Sequence, residues 1–224
     1  MMMSMSSEKP NLDDLRKIKP HEERALRRVY NQLSGRAARA KLEREIDRAT
    51  NPDQEAELRD QLAVVNAQKS KISSLDLSEM LRSLGRPSTK RYIWDMIWEA
   101  DEDIEGSIAY EDIKLVFQRN ISDRTGLEPS KLYNLVQFMI FDSNENGKVS
   151  VDETMAFLHA RYGREGLEFK LKELFGRDMV ESGTEGGEID FLTYLEAVNR
   201  AQIRMYENSE QGQANSAKSG KQSK

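Results

Sequence analysis

The sequence predicts an all-α protein made of four helix–loop–helix units that form two lobes. Apolar residues recur with helical spacing in five segments, namely Leu26/Val29/Tyr30/Leu33, Tyr92/Ile93/Met96/Ile97/Ala100, Leu132/Leu135/Val136/Met139/Ile140, Leu167/Leu171/Leu174/Phe175 and Phe191/Tyr194/Leu195/Val198. Short β-like patches carry a branched apolar residue at intervals of roughly 40 residues, at Ile72, Ile108, Val149 and Ile189. Such a period indicates an array of similar units, and four units would form two pairs.

Composition and charge exclude several functional classes. The 224 residues include no cysteine, so a disulfide framework, a thiolate zinc site and a cysteine nucleophile are ruled out. The net charge of -5 argues against a nucleic-acid partner. His21 and His159 are isolated and no catalytic grouping accompanies them, so we expect no enzymatic activity. No apolar run is long enough to span a bilayer, and a cytoplasmic location is expected.

The predicted units divide the chain into segments of distinct composition. Pro129-Ser130 lies near the start of one apolar stripe, and Gly163 lies where a helix would end. The end of the chain is polar and nearly free of apolar residues, so it cannot fold alone. The predicted organisation is a flexible segment 1–20, a first lobe 21–120 with a charged helical insert at about 35–68, a linker 121–128, a second lobe 129–205 and a disordered tail 206–224.

Residues 142–153 have the pattern of a calcium-binding loop. Calcium takes several oxygen ligands, and twelve consecutive residues can supply them from positions 1, 3, 5, 7, 9 and 12. Those positions hold Asp142, Asn144, Asn146, Lys148, Ser150 and Glu153, with Lys148 offering its backbone carbonyl. Gly147 supplies the sharp turn at position 6, and Glu153 can give both carboxylate oxygens. We predict one Ca²⁺ site of sensor-like or weaker affinity, the alternative being a loop that folds without metal.

A second loop, residues 101–112, has the same frame with a different closing residue. Gly106 and Ile108 stand at the expected positions, but Asp112 is one methylene shorter than glutamate and would usually give one oxygen. The remaining candidate ligands are Asp101, Asp103, Glu105 and Ser107. Weak Ca²⁺ or Mg²⁺ binding and a metal-free structural loop are the two alternatives for this segment.

The other two units lack chelating side chains. Counting back from Ile72 and Ile189 at position 8 places Val65, Ala67, Lys69, Ser182, Thr184 and Gly186 at ligand positions. In the first unit, the alternative is that residues 22–33 form the entering helix and that about 34–70 are inserted into the loop. We expect both units to persist as packing partners, because units of this kind pair through short β contacts.

The run Met80–Gly85, followed by Pro87-Ser88, Met96-Ile97 and the loop 101–112, is similar to the first lobe of calmodulin. From about Ile72 to Val198 the chain resembles the calmodulin superfamily of EF-hand proteins. The resemblance implies two EF-hand lobes and a role as a calcium sensor or a calcium-binding light chain. Two loops without ligands, one marginal loop and the added terminal sequence depart from the four-site pattern of calmodulin.

The layout is also similar to that of EF-hand proteins along flagellar and ciliary microtubules, and residues 152–163 contribute to that similarity. This resemblance implies a protein partner that is microtubule-associated or axonemal, and a location in the cytoskeleton or flagellar axoneme.

Trp94 and Trp98 lie off the core stripe of their helix. They form either a docking face for a partner or a surface covered by the N-terminal extension.

The sequence is compatible with two functions. In the first, the chain is a structural or regulatory subunit that docks permanently on a protein partner. In the second, it is a free calcium sensor that opens a groove lined by Met139 and Met155 for a target helix; core filling is the alternative role of these methionines. The basic first half of the insert either contacts an acidic partner or forms a solvated face.

Overall fold

The computed structural model describes residues 15–67, 70–176 and 187–219, and it confirms the all-α fold class. The elements in chain order are α1 Pro20–Leu33, α2 Arg36–Ile46, α3 Pro52–Ala67, α4 Ser74–Ser83, α5 Lys90–Trp98, α6 Tyr110–Ser122, α7 Lys131–Phe141, β1 Lys148–Ser150, α8 Val151–Phe175, β2 Glu188–Asp190 and α9 Phe191–Ser219. Within these ranges no helix has the length and apolarity needed to cross a membrane.

Short polar side chains start several of these helices. Ser73 caps α4, Thr89 caps α5 and Ser150 caps α8, each by accepting a hydrogen bond from a backbone N–H of the first turn. Before α4 and α8 the acidic residue three positions on returns the bond, which completes a capping box. The acids of these capping boxes are Asp76 and Glu153, the residues at loop position 12. The same carboxylate can therefore cap the start of the helix or serve as a metal ligand of the loop.

Gly163 divides α8 into two helices that meet at a kink. Its backbone angles of φ 69° and ψ −172° belong to a region that is essentially restricted to glycine. The sequence predicts a helix end at this residue, and the structure confirms it. Residues 151–162 thus form the exiting helix of the third unit, and residues 164–175 form the entering helix of the fourth unit.

The four branched apolar residues pair as the repeat predicts. Ile72 and Ile108 form an isolated antiparallel bridge with two N···O distances of 2.9 Å. Val149 lies opposite Ile189 in the antiparallel pair of β1 and β2. All four side chains are buried in the core. The first unit is therefore joined to the second, and the third to the fourth, through short β contacts.

The insert of the first unit is a pair of helices, α2 and α3. Leu26, Val29 and Leu33 of α1 are fully buried in the main core, as expected of an entering helix. Chain order places α2 and α3 between α1 and the bridge residue Ile72. This arrangement matches the alternative in which residues 34–70 are inserted into the first loop. Residues 68 and 69 lie outside the described residues.

The two lobes share one hydrophobic core. A single cluster of buried residues includes α1, α4 and α5 of the first lobe together with α7, α8 and α9 of the second. The predicted linker is anchored: α6 runs to Ser122, Arg119 forms an ion pair with Glu128, and the carboxylate of Glu99 accepts hydrogen bonds from the first N–H groups of α7. Structurally the lobes are fused through this core.

The ends of the chain differ in how they compare with prediction. Residues 1–14 of the predicted flexible segment lie outside the described residues. The helix α9 extends to Ser219, whereas the composition predicts a disordered tail from residue 206. The Glu, Gln, Ala and Lys residues of this segment have good helix propensity, and they follow a helix that is already nucleated by packing at Phe191 and Tyr194.

Candidate metal centre

The loop 142–153 joins the end of α7 to the start of α8. Its backbone takes positive φ at Glu145 (62°) and at Gly147 (79°), which reverses the chain direction within a few residues. Lys148 and Ser150 are the first and last residues of β1, so their backbone is held by pairing with β2. Sequence and structure agree that Gly147 makes the turn and that Val149 anchors the loop in the core.

Asp142, at position 1, organises the first half of the loop. Its two carboxylate oxygens accept hydrogen bonds from the backbone N–H groups of Asn146 at 3.0 Å and Gly147 at 2.9 Å. The amide oxygen of Asn144 also accepts from Asn146 at 3.0 Å, and that of Asn146 accepts from Lys148 at 2.8 Å. These short-range bonds coil the backbone so that the side-chain oxygens of positions 1, 3 and 5 come from one tight turn.

Glu153, at position 12, closes the loop from the other side. One carboxylate oxygen accepts hydrogen bonds from the backbone N–H groups of Ser143 at 3.2 Å and Asn144 at 3.3 Å. The other accepts from the backbone N–H of Ser150 at 3.1 Å and from its hydroxyl at 3.0 Å. The side chain therefore reaches from the first turn of α8 back to the start of the loop, and both of its oxygens face loop residues.

Burial affects the two carboxylates differently. Asp142 is only 4% exposed, and this burial raises its pKa although backbone hydrogen bonds from Gly147 and Asn146 oppose the shift. Burial also raises the pKa of Glu153, but the hydrogen bonds from Ser150, Ser143 and Asn144 outweigh it and leave the pKa below its ordinary value. Asp142 thus carries a charge that its surroundings do not fully compensate, and a bound cation would relieve that cost.

The donor set of this loop fits calcium better than a transition metal. The predicted ligands are two carboxylates, two amide oxygens, one hydroxyl and one backbone carbonyl, all of them hard oxygen donors. In the described parts of the chain, no three His, Cys, Asp or Glu side chains come together as a metal-binding group. The loop itself has only two carboxylates at ligand positions, so its ability to bind calcium depends on the neutral oxygens between them.

The loop 101–112 has the same turn but a different charge environment. The carboxylate of Asp101 accepts from the N–H groups of Glu105 at 3.0 Å and Gly106 at 2.7 Å, as Asp142 does in the other loop. The ammonium group of Lys71 is hydrogen-bonded to Glu105 and lies 3.9 Å from Asp103. A lysine of the first unit therefore supplies positive charge to the carboxylates at positions 3 and 5.

The remaining candidate ligands of this loop are not gathered into a site. Asp112 accepts a hydrogen bond from the N–H of Ala109 at 2.6 Å, and Ser107 lies half-buried beside the bridge residue Ile108. The neighbouring carboxyl of Asp101 raises the pKa of Asp103, while the backbone hydrogen bond from Gly106 helps to keep the pKa of Asp101 low despite burial. This geometry is that of a folded loop with an internal counter-charge.

In the first unit, the insert helix occupies the neighbourhood of the closing acid. Asp76 is 3% exposed, and one of its carboxylate oxygens accepts from the backbone N–H of Ala37 at 2.8 Å in the first turn of α2. The other oxygen accepts from the N–H of Ser73 at 2.9 Å. The N-terminus of a helix carries partial positive charge. The carboxylate at position 12 is thus stabilised by the insert itself.

The candidate partner-binding residues fall into two groups. Trp94 is 45% exposed and Trp98 is 70% exposed, and both border a surface trough with Pro129. In the described part of the N-terminal segment, Arg16 bonds to Ser122 of α6 and Lys19 bonds to Ala160 of α8. Met155 is 38% exposed, whereas Met139 is 2% exposed and lies in the core.

Sequence reasoning missed a charged pair that joins the lobes. Glu22 of α1 and Arg161 of α8 form an ion pair with an N···O distance of 2.9 Å, and both side chains are fully buried. The sequence places each of these charges on the apolar face of its helix. Glu22 stands four residues before Leu26 in α1, and Arg161 stands three residues after the buried Leu158 in α8. A charge on the buried face of a helix indicates a buried partner.

Paired helix–loop–helix units with short β contacts, one of them with a complete series of oxygen ligands, define an EF-hand protein. No family model matches the chain. Over 132 residues, 58% of this chain and 72% of the relative, it is 30% identical to the probable calcium-binding protein CML13 of rice, Oryza sativa subsp. japonica. The chain therefore belongs to the calmodulin-like family of EF-hand proteins.

Proposed function

We propose that this chain is a non-enzymatic, calmodulin-like calcium-binding protein that serves as a structural or regulatory subunit docked on a protein partner. The observation that carries the proposal is the loop 142–153, where oxygen-bearing residues occupy every ligand position and begin with the buried carboxylate of Asp142. The similarity to a protein described as calcium-binding supports the same role.

One calcium ion is proposed per chain. Asp142, Asn144, Asn146, Lys148, Ser150 and Glu153 would hold it, and the ion would supply two positive charges to neutralise the two carboxylates. The loop 101–112 is proposed to remain metal-free at physiological calcium, because Lys71 already supplies charge to Asp103 and Glu105 and because Asp112 is one methylene shorter than glutamate.

Permanent docking is favoured by the fused core and by the exposed tryptophans. Separate lobes that wrap a target helix need to move independently, whereas here one core includes helices of both lobes. Trp94 and Trp98 offer a large aromatic area at the surface, and tryptophan is the residue most enriched at the energetic centre of protein interfaces. A cytoskeletal, microtubule-associated partner is part of the proposal on the strength of the sequence resemblance alone.

The alternative function is a free calcium sensor that opens a methionine-lined groove. Met139 favours it, because this flexible residue lies buried three residues before Asp142 and would be uncovered if α8 swung away from α7. The two functions differ in whether calcium exposes apolar surface.

Calorimetric titration with calcium tests the proposed site. Wild type should bind one ion per chain, and Glu153→Gln should lose most of the affinity because a carboxamide gives a single weaker oxygen. Glu145→Gln is the matched control, since Glu145 is an exposed residue of the same loop at a position that supplies no ligand. Equal affinity of the Glu153 and Glu145 variants would reject the site.

Cross-linking in cells tests the docking surface. Trp98→Ala should reduce the yield of the partner adduct, whereas Ile104→Ala, which alters an equally exposed apolar residue in the loop 101–112, should leave the yield unchanged. Unaltered yields for Trp98→Ala would remove the tryptophans from the proposal.

A further inference from the structure

We propose that α1 acts as a strap that holds α7 and α8 at a fixed angle, so that the loop 142–153 takes calcium without opening its EF-hand unit. The inference rests on the proposed calcium site and concerns the regulation of that site. It assigns α1 a second role, since this helix also serves as the entering helix of the first unit.

The strap holds α7 at the end from which the loop begins. The guanidinium of Arg28 donates hydrogen bonds to the backbone carbonyls of Met139 at 2.9 Å, Ile140 at 3.1 Å and Asp142 at 3.3 Å. The last carbonyls of a helix have no intrahelical donor, and a cation stabilises the negative end of the helix dipole. A side chain of α1 therefore caps α7 at the first ligand position of the calcium loop.

The strap holds the exiting helix at its opposite end. Glu22 forms the buried ion pair with Arg161 near the end of the first half of α8. Two residues just before α1 add to this contact: Lys19 donates to the carbonyl of Ala160 at 2.5 Å, and Arg16 donates to the carbonyl of Arg161 at 3.4 Å. These carbonyls immediately precede the kink at Gly163.

The Arg161 guanidinium is enclosed on its other sides by aromatic rings. Its central carbon lies 5.0 Å from the ring centroid of Phe117 and 5.4 Å from that of Phe157. Phe157 also makes an edge contact with His21 of α1 at 5.7 Å. Separation of the guanidinium from Glu22 would therefore leave a buried charge unpaired beside these rings, which is costly.

The geometry of opening shows why this contact controls the unit. Glu153 lies in the first turn of α8, and Arg161 follows eight residues later, which corresponds to about 12 Å along the helix axis. Opening of a sensor EF-hand changes the interhelical angle by about 40°, and over that length the end of the helix would move by about 8 Å. A displacement of that size would break the 2.9 Å ion pair of Arg161 with Glu22. The unit thus stays closed as long as the strap holds.

The test compares calcium binding with apolar exposure in the same samples of the full chain. Calorimetry reports calcium binding, and the fluorescence of a hydrophobic dye with calcium or with chelator reports opening. Wild type should bind calcium without a change in dye emission. Glu22→Gln and Arg28→Met should bind calcium and show a several-fold rise in emission. Arg27→Met, next to Arg28 and exposed, is the matched control and should behave as wild type.

The outcomes separate the strap from the proposed function. A several-fold calcium-dependent rise in dye emission with wild type would overturn the strap. So would the absence of such a rise in both strap variants while they bind calcium. If Glu22→Gln does not fold, as judged by circular dichroism, Arg28→Met decides the question, because its contacts with α7 are to backbone carbonyls and its removal leaves no carboxylate unpaired there. If calorimetry detects no heat of calcium binding in the wild type or in any variant, the calcium site itself is rejected.

Discussion

Replacing Glu22 by glutamine should destabilise the protein far more than the same change at the neighbouring Glu23. Both side chains of the Glu22–Arg161 pair are fully buried, so the substitution leaves a guanidinium charge without a counter-charge inside the core. Removing one partner of a buried ion pair costs about 3–5 kcal/mol. Glutamine keeps the volume and an acceptor oxygen, so we expect the lower end of that range.

The expected effect is large enough to measure in two ways. A loss of about 3 kcal/mol is a substantial part of the roughly 5–15 kcal/mol that stabilises a typical protein. For a chain of this size it lowers the melting temperature by about 6–12 °C. Urea unfolding followed by circular dichroism, with chelator present, gives the free energy of unfolding, and a thermal scan gives the melting temperature.

Two further variants control the interpretation. Glu23→Gln removes a carboxylate that is 33% exposed and bonded to the Tyr110 hydroxyl at 2.8 Å, and it should cost about 1 kcal/mol or less. Glu22→Leu combined with Arg161→Met removes both charges and should recover most of the loss. If Glu22→Gln costs no more than Glu23→Gln, the reasoning about the buried pair is wrong.

Three further predictions concern single positions. Gly163→Ala should cost about 1–3 kcal/mol in urea unfolding from backbone strain alone, because a Cβ there would meet no neighbour within 4 Å. The stability of calcium-free wild type relative to Asp142→Asn should rise as pH falls through the raised pKa of Asp142, because burial disfavours the charged carboxylate in the folded state; unfolding curves of both proteins across pH measure it. Trp98→Ala should change the free energy of unfolding by less than about 0.5 kcal/mol, and a larger loss would show that this exposed ring packs against its own chain.

The parts of this structure that follow from local pattern could be predicted from the sequence. The pairing of the units could be predicted from four branched apolar residues, because each stands at a fixed position in its loop: Ile72, Ile108, Val149 and Ile189. Gly147 predicted a turn and Gly163 predicted a helix end, because the backbone at both positions has a positive φ that favours glycine. The spacing of oxygen-bearing residues between 142 and 153 likewise depends on neighbours in the chain.

Contacts between distant segments could not be predicted in the same way. The pattern of the insert left its basic residues either solvated or facing an acidic partner, but Arg39 caps the end of α1 by donating to the carbonyls of Gln32 at 2.5 Å and Ser34 at 2.7 Å. The ion pair of Glu22 and Arg161 spans 139 positions. A helical stripe shows that a face is buried, while the identity of the covering element depends on how whole helices pack.

Nuclear magnetic resonance of the labelled chain during calcium titration tests the central claim most directly. The amide of Gly147 donates to Asp142, so its resonance should shift when an ion polarises that carboxylate. We predict that amides of residues 142–153 shift first and saturate at one equivalent of calcium, while those of 101–112 stay in place. Unchanged resonances at 142–153 in millimolar calcium, or shifts that begin at 101–112, would contradict the account.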